Sequence, residues 1–296
     1  DKIIIRIRIC KKANIEGGCK YMKKKLLVSV LLFAMGASVL TGCGGGEKQE
    51  EPEEIVYLEE SEIDSLFTNP EEYAGKYVKL SGQLLDAPET DGETTAIQAW
   101  HDVENYTQNF IAHTDAADGI QNQDYVWVDG KIDGTFSGEN AFGGSVECPL
   151  IVDATVTKGS YMEIVVPTIA EISPAVSQDQ NGIVVTVDKV EYAEDETRVY
   201  VTINNGTDYN FSCGTYSAKL LIDGKQMDQD TMSQTLYNSP ELSELSYEVM
   251  AGTSSSGTLI FPAIEQGVAF QFILPDAYSD NYDLMFTNYM IDVPAQ

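Results

Sequence analysis

Short runs in which apolar and polar residues alternate dominate the chain from residue 78 onward. Val78, Leu80 and Leu84 alternate with Lys79, Ser81 and Gln83. That period of two predicts a strand with one buried face. Further strands are predicted at 94–100, 108–113, 125–132 and 150–157. Val126, Val128 and Ile132 are expected on one side of the fourth run, with Trp127, Asp129 and Lys131 on the other. In the fifth, Leu150, Val152, Ala154 and Val156 are the expected inner set. Gly82 and Gly130 suit tight bends where strands change partners, so these five strands predict a small closed barrel. A short helix precedes them. Ser61 can cap it, Ile63, Leu66 and Phe67 give it an apolar face, and Asn69-Pro70 ends it.

Pro167 and Pro174 interrupt the pattern, and residues 161–181 read as a linker. Alternation resumes at Ile183, Val185 and Val187. It continues through Val199, Val201 and Ile203, and later through Val268, Phe270, Phe272 and Leu274. Asn204-Asn205-Gly206-Thr207 is a strong turn signal. Additional strands are expected at 216–222, 248–251, 257–261 and 284–293. Seven or more such strands without helical period predict an antiparallel β-sandwich over 182–296. The fold class is therefore all-β, a small barrel over 57–160 followed by a sandwich.

The N-terminal region has a different pattern. Met22 is followed by Lys23, Lys24 and Lys25, then an apolar stretch from 26 to 40 and the run Leu40-Thr41-Gly42-Cys43. A basic head, a short apolar body and small residues at the cut form an export signal. The box ending in Cys43 resembles the lipobox of bacterial lipoproteins. That resemblance implies diacylglyceryl transfer to the Cys43 thiol, cleavage before it, and attachment to the outer face of the cell membrane. Residues 1–21 are expected to be untranslated leader, because Glu16-Gly17-Gly18 can be encoded by a ribosome-binding sequence at a normal distance from Met22. Residues 22–42 are then the signal peptide, and 43–56, glycine-rich and then acidic, a flexible tether.

Charge narrows the list of partners. The whole chain has 18 Lys and Arg against 47 Asp and Glu, and residues 1–42 hold nine of the former and two of the latter. The remainder carries 9 basic and 45 acidic groups, a net charge near −36. Such a surface repels phosphate backbones and anionic headgroups, which disfavours nucleic acid and leaves attachment to acyl chains. Cys148 and Cys213 read as two separate buried thiols, with a disulfide between the two units as the alternative.

The stretches Asn69-Pro70, 73–82, 126–132 and 149–154 resemble the OB-fold, in particular the tRNA-anticodon-like OB domains of exported bacterial proteins. The stretches 199–207 and 251–261 resemble the immunoglobulin-like domains of secreted lipoproteins related to telokin-like and immunoprotective extracellular antigen domains. The OB resemblance implies a binding face over the second and third barrel strands. Trp100, His101 and Phe110 fall on or beside these, and Trp127 points away from the expected inner face. These four are the candidate ligand face. The alternative places Trp100 and Phe110 in the core and Trp127 between the domains.

Signatures of chemistry are missing. His101 and His113 have no zinc spacing, the serines at 254–256 lack the Gly-x-Ser-x-Gly spacing, and no loop has the EF-hand pattern. No catalytic residue, metal ligand or cofactor is therefore expected. The expected role is a non-catalytic binding or interaction module of the cell envelope, with an envelope protein or polysaccharide as partner. Solute or carbohydrate recognition by the barrel and an enzyme with an unrecognised site are the alternatives.

Overall fold

The computed structural model describes residues 55–90, 92–139 and 144–295. The expected leader, signal peptide and Cys43 lie outside them. The first unit opens with a short helix, α1 (Ile63–Thr68), then six strands: β1 (Tyr77–Leu84), β2 (Glu89–Thr90), β3 (Thr95–Asp102), β4 (Thr107–Thr114), β5 (Tyr125–Glu139) and β6 (Ser145–Gly159). The order β1-β5-β6-β4-β3 closes on itself where β3 pairs with β1, and β2 adds to the β3 edge. All pairings are antiparallel except β4 with β6. This is a five-stranded OB-like barrel. Closure depends on Gly82, because a Cβ there would stand 2.4 Å from the Trp100 carbonyl oxygen.

Val78, Leu80, Leu84, Val126, Val128 and Ile132 are buried, as their alternation predicts. Leu66 of α1 is fully buried in the same core. The inner set of β6 differs from expectation. Ile151 and Ala154 are buried there, while Leu150 and Val152 are only partly so. Asp153 has a φ of +50°, and the register shifts between Asp129 and Lys131 on the facing strand. This bulge reverses the phase of the strand, and local alternation does not reveal it.

The second unit has its sandwich core between two main sheets. One is ordered β15-β10-β9-β7, with β8 also on β9. Its strands are β7 (Ala170–Ile172), β8 (Val176–Gln180), β9 (Ile183–Tyr192), β10 (Glu196–Asn205) and β15 (Ser254–Pro262). The other is β13-β12-β16-β18, made of β12 (Lys219–Ile222), β13 (Lys225–Asp228), β16 (Phe270–Leu274) and β18 (Tyr289–Val293). A small third sheet joins β11 (Phe211–Ser212), β14 (Glu248–Val249) and β17 (Tyr278–Ser279). Val185, Val187, Val199, Val201 and Ile203 meet Leu220, Phe272, Leu274 and Ile291 in one core. The segment expected to be only a linker supplies β7 and β8. Both pair with β9, on either side of Pro174, which cannot donate to a ladder.

Between the units lies the short helix α2 (Tyr161–Ile164), capped by Ser160 and Glu163. Arg198 of β10 reaches the connector just after it, at Val166 and Thr168. Its guanidinium is fully buried, 3.1 Å from Glu191 and 2.9 Å from Glu196, and it donates to the Val166 carbonyl. Helix α3 (Gln234–Asn238) adds Thr235, whose hydroxyl donates to Glu196 at 2.6 Å. Cys148 and Cys213 are free and buried, which removes the disulfide alternative. Burial pushes both thiols up to about 12.

Candidate binding face of the barrel

Outward positions of three barrel strands fall into register across the β3-β1-β5 seam. Trp100 pairs with Gln83, and Gln83 pairs with Tyr125. The amide of Gln83 donates to the Tyr125 hydroxyl and to the Gln123 carbonyl, both at 3.2 Å. Tyr161 of α2 meets the Tyr125 ring edge-on, with centroids 5.6 Å apart. Burial, followed by the nearby Tyr161, pushes the Tyr125 phenol up to about 12, so it stays a neutral hydrogen-bonding group at any physiological pH.

Trp127 occupies the adjacent row, opposite Ser81 on β1 and Thr157 on β6. Gly159 makes room for it: a Cβ there would stand 2.9 Å from the Trp127 Nε1 and 2.7 Å from Ile164. The indole is therefore seated along one edge, yet Trp127 remains 43% exposed. The next row pairs Lys79 with Asp129. Tyr57 donates to Asp129 at 2.9 Å, and the Lys79 ammonium lies over the Tyr57 ring. The face thus presents aromatic rings, amides and hydroxyls beside one compensated ion pair. Flat rings with fixed polar neighbours suit a ligand with apolar faces and hydroxyl edges.

The four expected site residues do not act together. Trp100 and Trp127 share this outer face. Phe110 does not: it is fully buried in the barrel core, so its place on the ligand face is corrected. His101 points the other way from its neighbour Trp100. Its ring stacks on Phe67 of α1 with centroids 5.4 Å apart, and Nδ1–H donates to the Ser81 carbonyl at 2.8 Å. It fastens α1 to the barrel end. Tyr125 and Gln83 were missed as site residues, although Tyr125 stands two positions before Trp127 and so on the same side of the strand.

Among the described residues no group of three or more His, Cys, Asp or Glu side chains could hold a metal ion, and no helix is long and apolar enough to cross a membrane. No protein-family model matches the chain, and a comparison with curated proteins gives no match. Among solved structures it is similar to a functionally unknown protein from Listeria monocytogenes EGD-e. The two are 13% identical with a TM-score of 0.31, over 44% of this chain and 88% of that one.

Proposed function

We propose that this protein is a non-catalytic binding module of the bacterial cell envelope, held at the outer membrane face by lipid on Cys43, and that its barrel recognises a neutral polyhydroxylated ligand such as a wall saccharide. The observation that carries the ligand assignment is the half-exposed Trp127 ring beside the row of Trp100, Gln83 and Tyr125. Aromatic faces stack on the C–H faces of a sugar ring, while the neighbouring amide and phenol take its hydroxyls. The acidity of the chain disfavours polyanions on the same face.

The chain has two tryptophans, Trp100 and Trp127, and both lie on this face. Intrinsic tryptophan emission is thus a local probe. Titrating residues 47–296 with soluble wall polysaccharide should give a saturable emission change. Trp127→Ala should weaken binding about tenfold or more, with Trp127→Phe recovering part of it at an unchanged melting temperature. Flat emission through the titration, or full affinity in Trp127→Ala, refutes the saccharide face.

A further inference from the structure

We infer that the end of the sandwich remote from the barrel is a second binding surface, built to take a Lys- and Arg-bearing polypeptide. β9 and β10 fix its position. Tyr192 and Glu196 mark the end facing the connector, since the Ile169 amide donates to the Tyr192 carbonyl. Ile183, Asn205 and Ser254 mark the opposite end.

Four loops converge at that opposite end and are tied to one another through backbone. Gly206 N–H donates to the Gly182 carbonyl, Gly252 N–H to Thr207, and Asp280 N–H to Asn210. The Asn181 amide donates to the Met285 carbonyl at 2.8 Å. Asn205 is the hub. It is fully buried, and its Nδ2 donates to the carbonyls of Tyr209, Val249 and Met250. Its Oδ1 accepts from the Thr207 amide and hydroxyl. Loops held this way lose little further freedom on binding, which favours affinity.

The side chains they present are large and exposed. Tyr209 is 46%, Met250 63%, Tyr282 89% and Met285 81% exposed. Tyrosine and methionine supply adaptable contact area at protein interfaces. Asp208, Asp280 and Asp283 are exposed on the same loops, and Asp179 is exposed at the end of β8 beside them. Segments 176–185, 204–218, 246–256 and 276–296 contain no Lys or Arg. Tyrosine faces attract Lys and Arg side chains through their ring electrons, and the aspartates add complementary charge. Two copies of so acidic an end repel each other, which leaves a cationic partner and not self-association.

The test uses residues 47–296 and a short synthetic peptide in which Lys and Arg alternate with Leu and Ser. A control peptide carries Glu in place of Lys and Arg. Calorimetry should show saturable one-to-one binding of the basic peptide, weakening with salt, and none of the control. Tyr209→Ser with Tyr282→Ser leaves the charge unchanged and should weaken binding about tenfold or more with the melting temperature preserved. Tryptophan emission should stay constant, because both indoles lie on the barrel; this separates the outcome from that of the saccharide titration. Absence of binding overturns the proposal. So does undiminished binding by the tyrosine variant, which would assign the attraction to general acidity. A tryptophan response to the peptide would move the contact to the barrel and overturn it as well.

Discussion

Arg198 shows how one buried residue can fasten the connector to the sandwich. A buried guanidinium is costly unless its charge and donors are satisfied. Here Glu191, Glu196 and the Val166 carbonyl surround it. Burial alone would raise the Glu191 carboxyl, but hydrogen bonds from Lys189 and Tyr200, with the adjacent Lys189 and Arg198 charges, hold it below the usual carboxylate range. Glu196 is shifted upward, chiefly by burial, against the pull of Thr235 and Arg198. The signs oppose. The contribution of Glu191 to stability is present above its unfolded pKa and lost as pH falls through the lower folded value. That of Glu196 is lost as pH rises through its folded value. Arg198→Met removes the cation, leaving buried Glu196 without an ion-pair partner and Glu191 with Lys189 alone. It should cost about 3–5 kcal/mol at neutral pH. Both carboxyls then titrate upward, so the variant should regain part of the loss as pH falls toward about 4. Urea denaturation at both pH values checks this; a loss independent of pH would refute it. Alternation around Val199 and Val201 was readable in the sequence, but nothing there distinguishes Arg198 from an exposed cation. Its burial arises from the connector folding over the outer sheet face.

At the scale of elements, the informative pair is β8 and β18. They belong to different sheets and meet without a ladder. Gln178 Oε1 accepts from the Met290 amide at 2.7 Å, and Gln180 accepts from the Thr287 amide at 2.9 Å while donating to its carbonyl at 3.2 Å. Two glutamine side chains thus occupy the place of main-chain partners and close one side of the sandwich. An open edge with free amides is a template for aggregation. Gln178→Ala with Gln180→Ala should cost about 1–3 kcal/mol in total and increase light scattering on heating. An unchanged melting temperature and scattering curve would show that the edge is protected in another way. The element types were legible because alternation is a local property. The membership of β8 was not. Val176 and Gln178 have the same pattern on a strand as in an extended linker, and only β9 as a neighbour decides between them. The phase of β6 was hidden for a similar reason, since Asp153 adopts its positive φ to fit the closed barrel and not from any preference visible in 150–157.

The whole molecule has two ends. The segment leading from the proposed lipid enters the barrel, and the sandwich carries its tyrosine-rich loops away from it. Proposed attachment at Cys43 makes that polarity useful, because the farther surface meets partners beyond the membrane. Cys43→Ala should shift the protein from the membrane fraction to the soluble fraction of the host, and radiolabelled palmitate should no longer be incorporated. Retention of both would reject the anchor. Residues 43–296 carry a net charge near −36, which favours solubility and keeps such a chain off anionic headgroups.

The sequence by itself determined the properties that depend on near neighbours along the chain. Alternating residues specified β-structure, and a period of two assigned Trp127 outward. Tertiary structure decided what depends on residues far apart. Phe110 is core because β4 lies between two partners with that face inward. Trp100, Gln83 and Tyr125 form a row because the barrel closes where Gly82 admits the β3 backbone. The tip exists because Asn205 draws two distant carbonyls, of Val249 and Met250, to its own turn at Thr207 and Tyr209. Side-chain direction follows from a strand's own geometry, whereas register, closure and loop convergence are set by packing between segments, and no single segment encodes them.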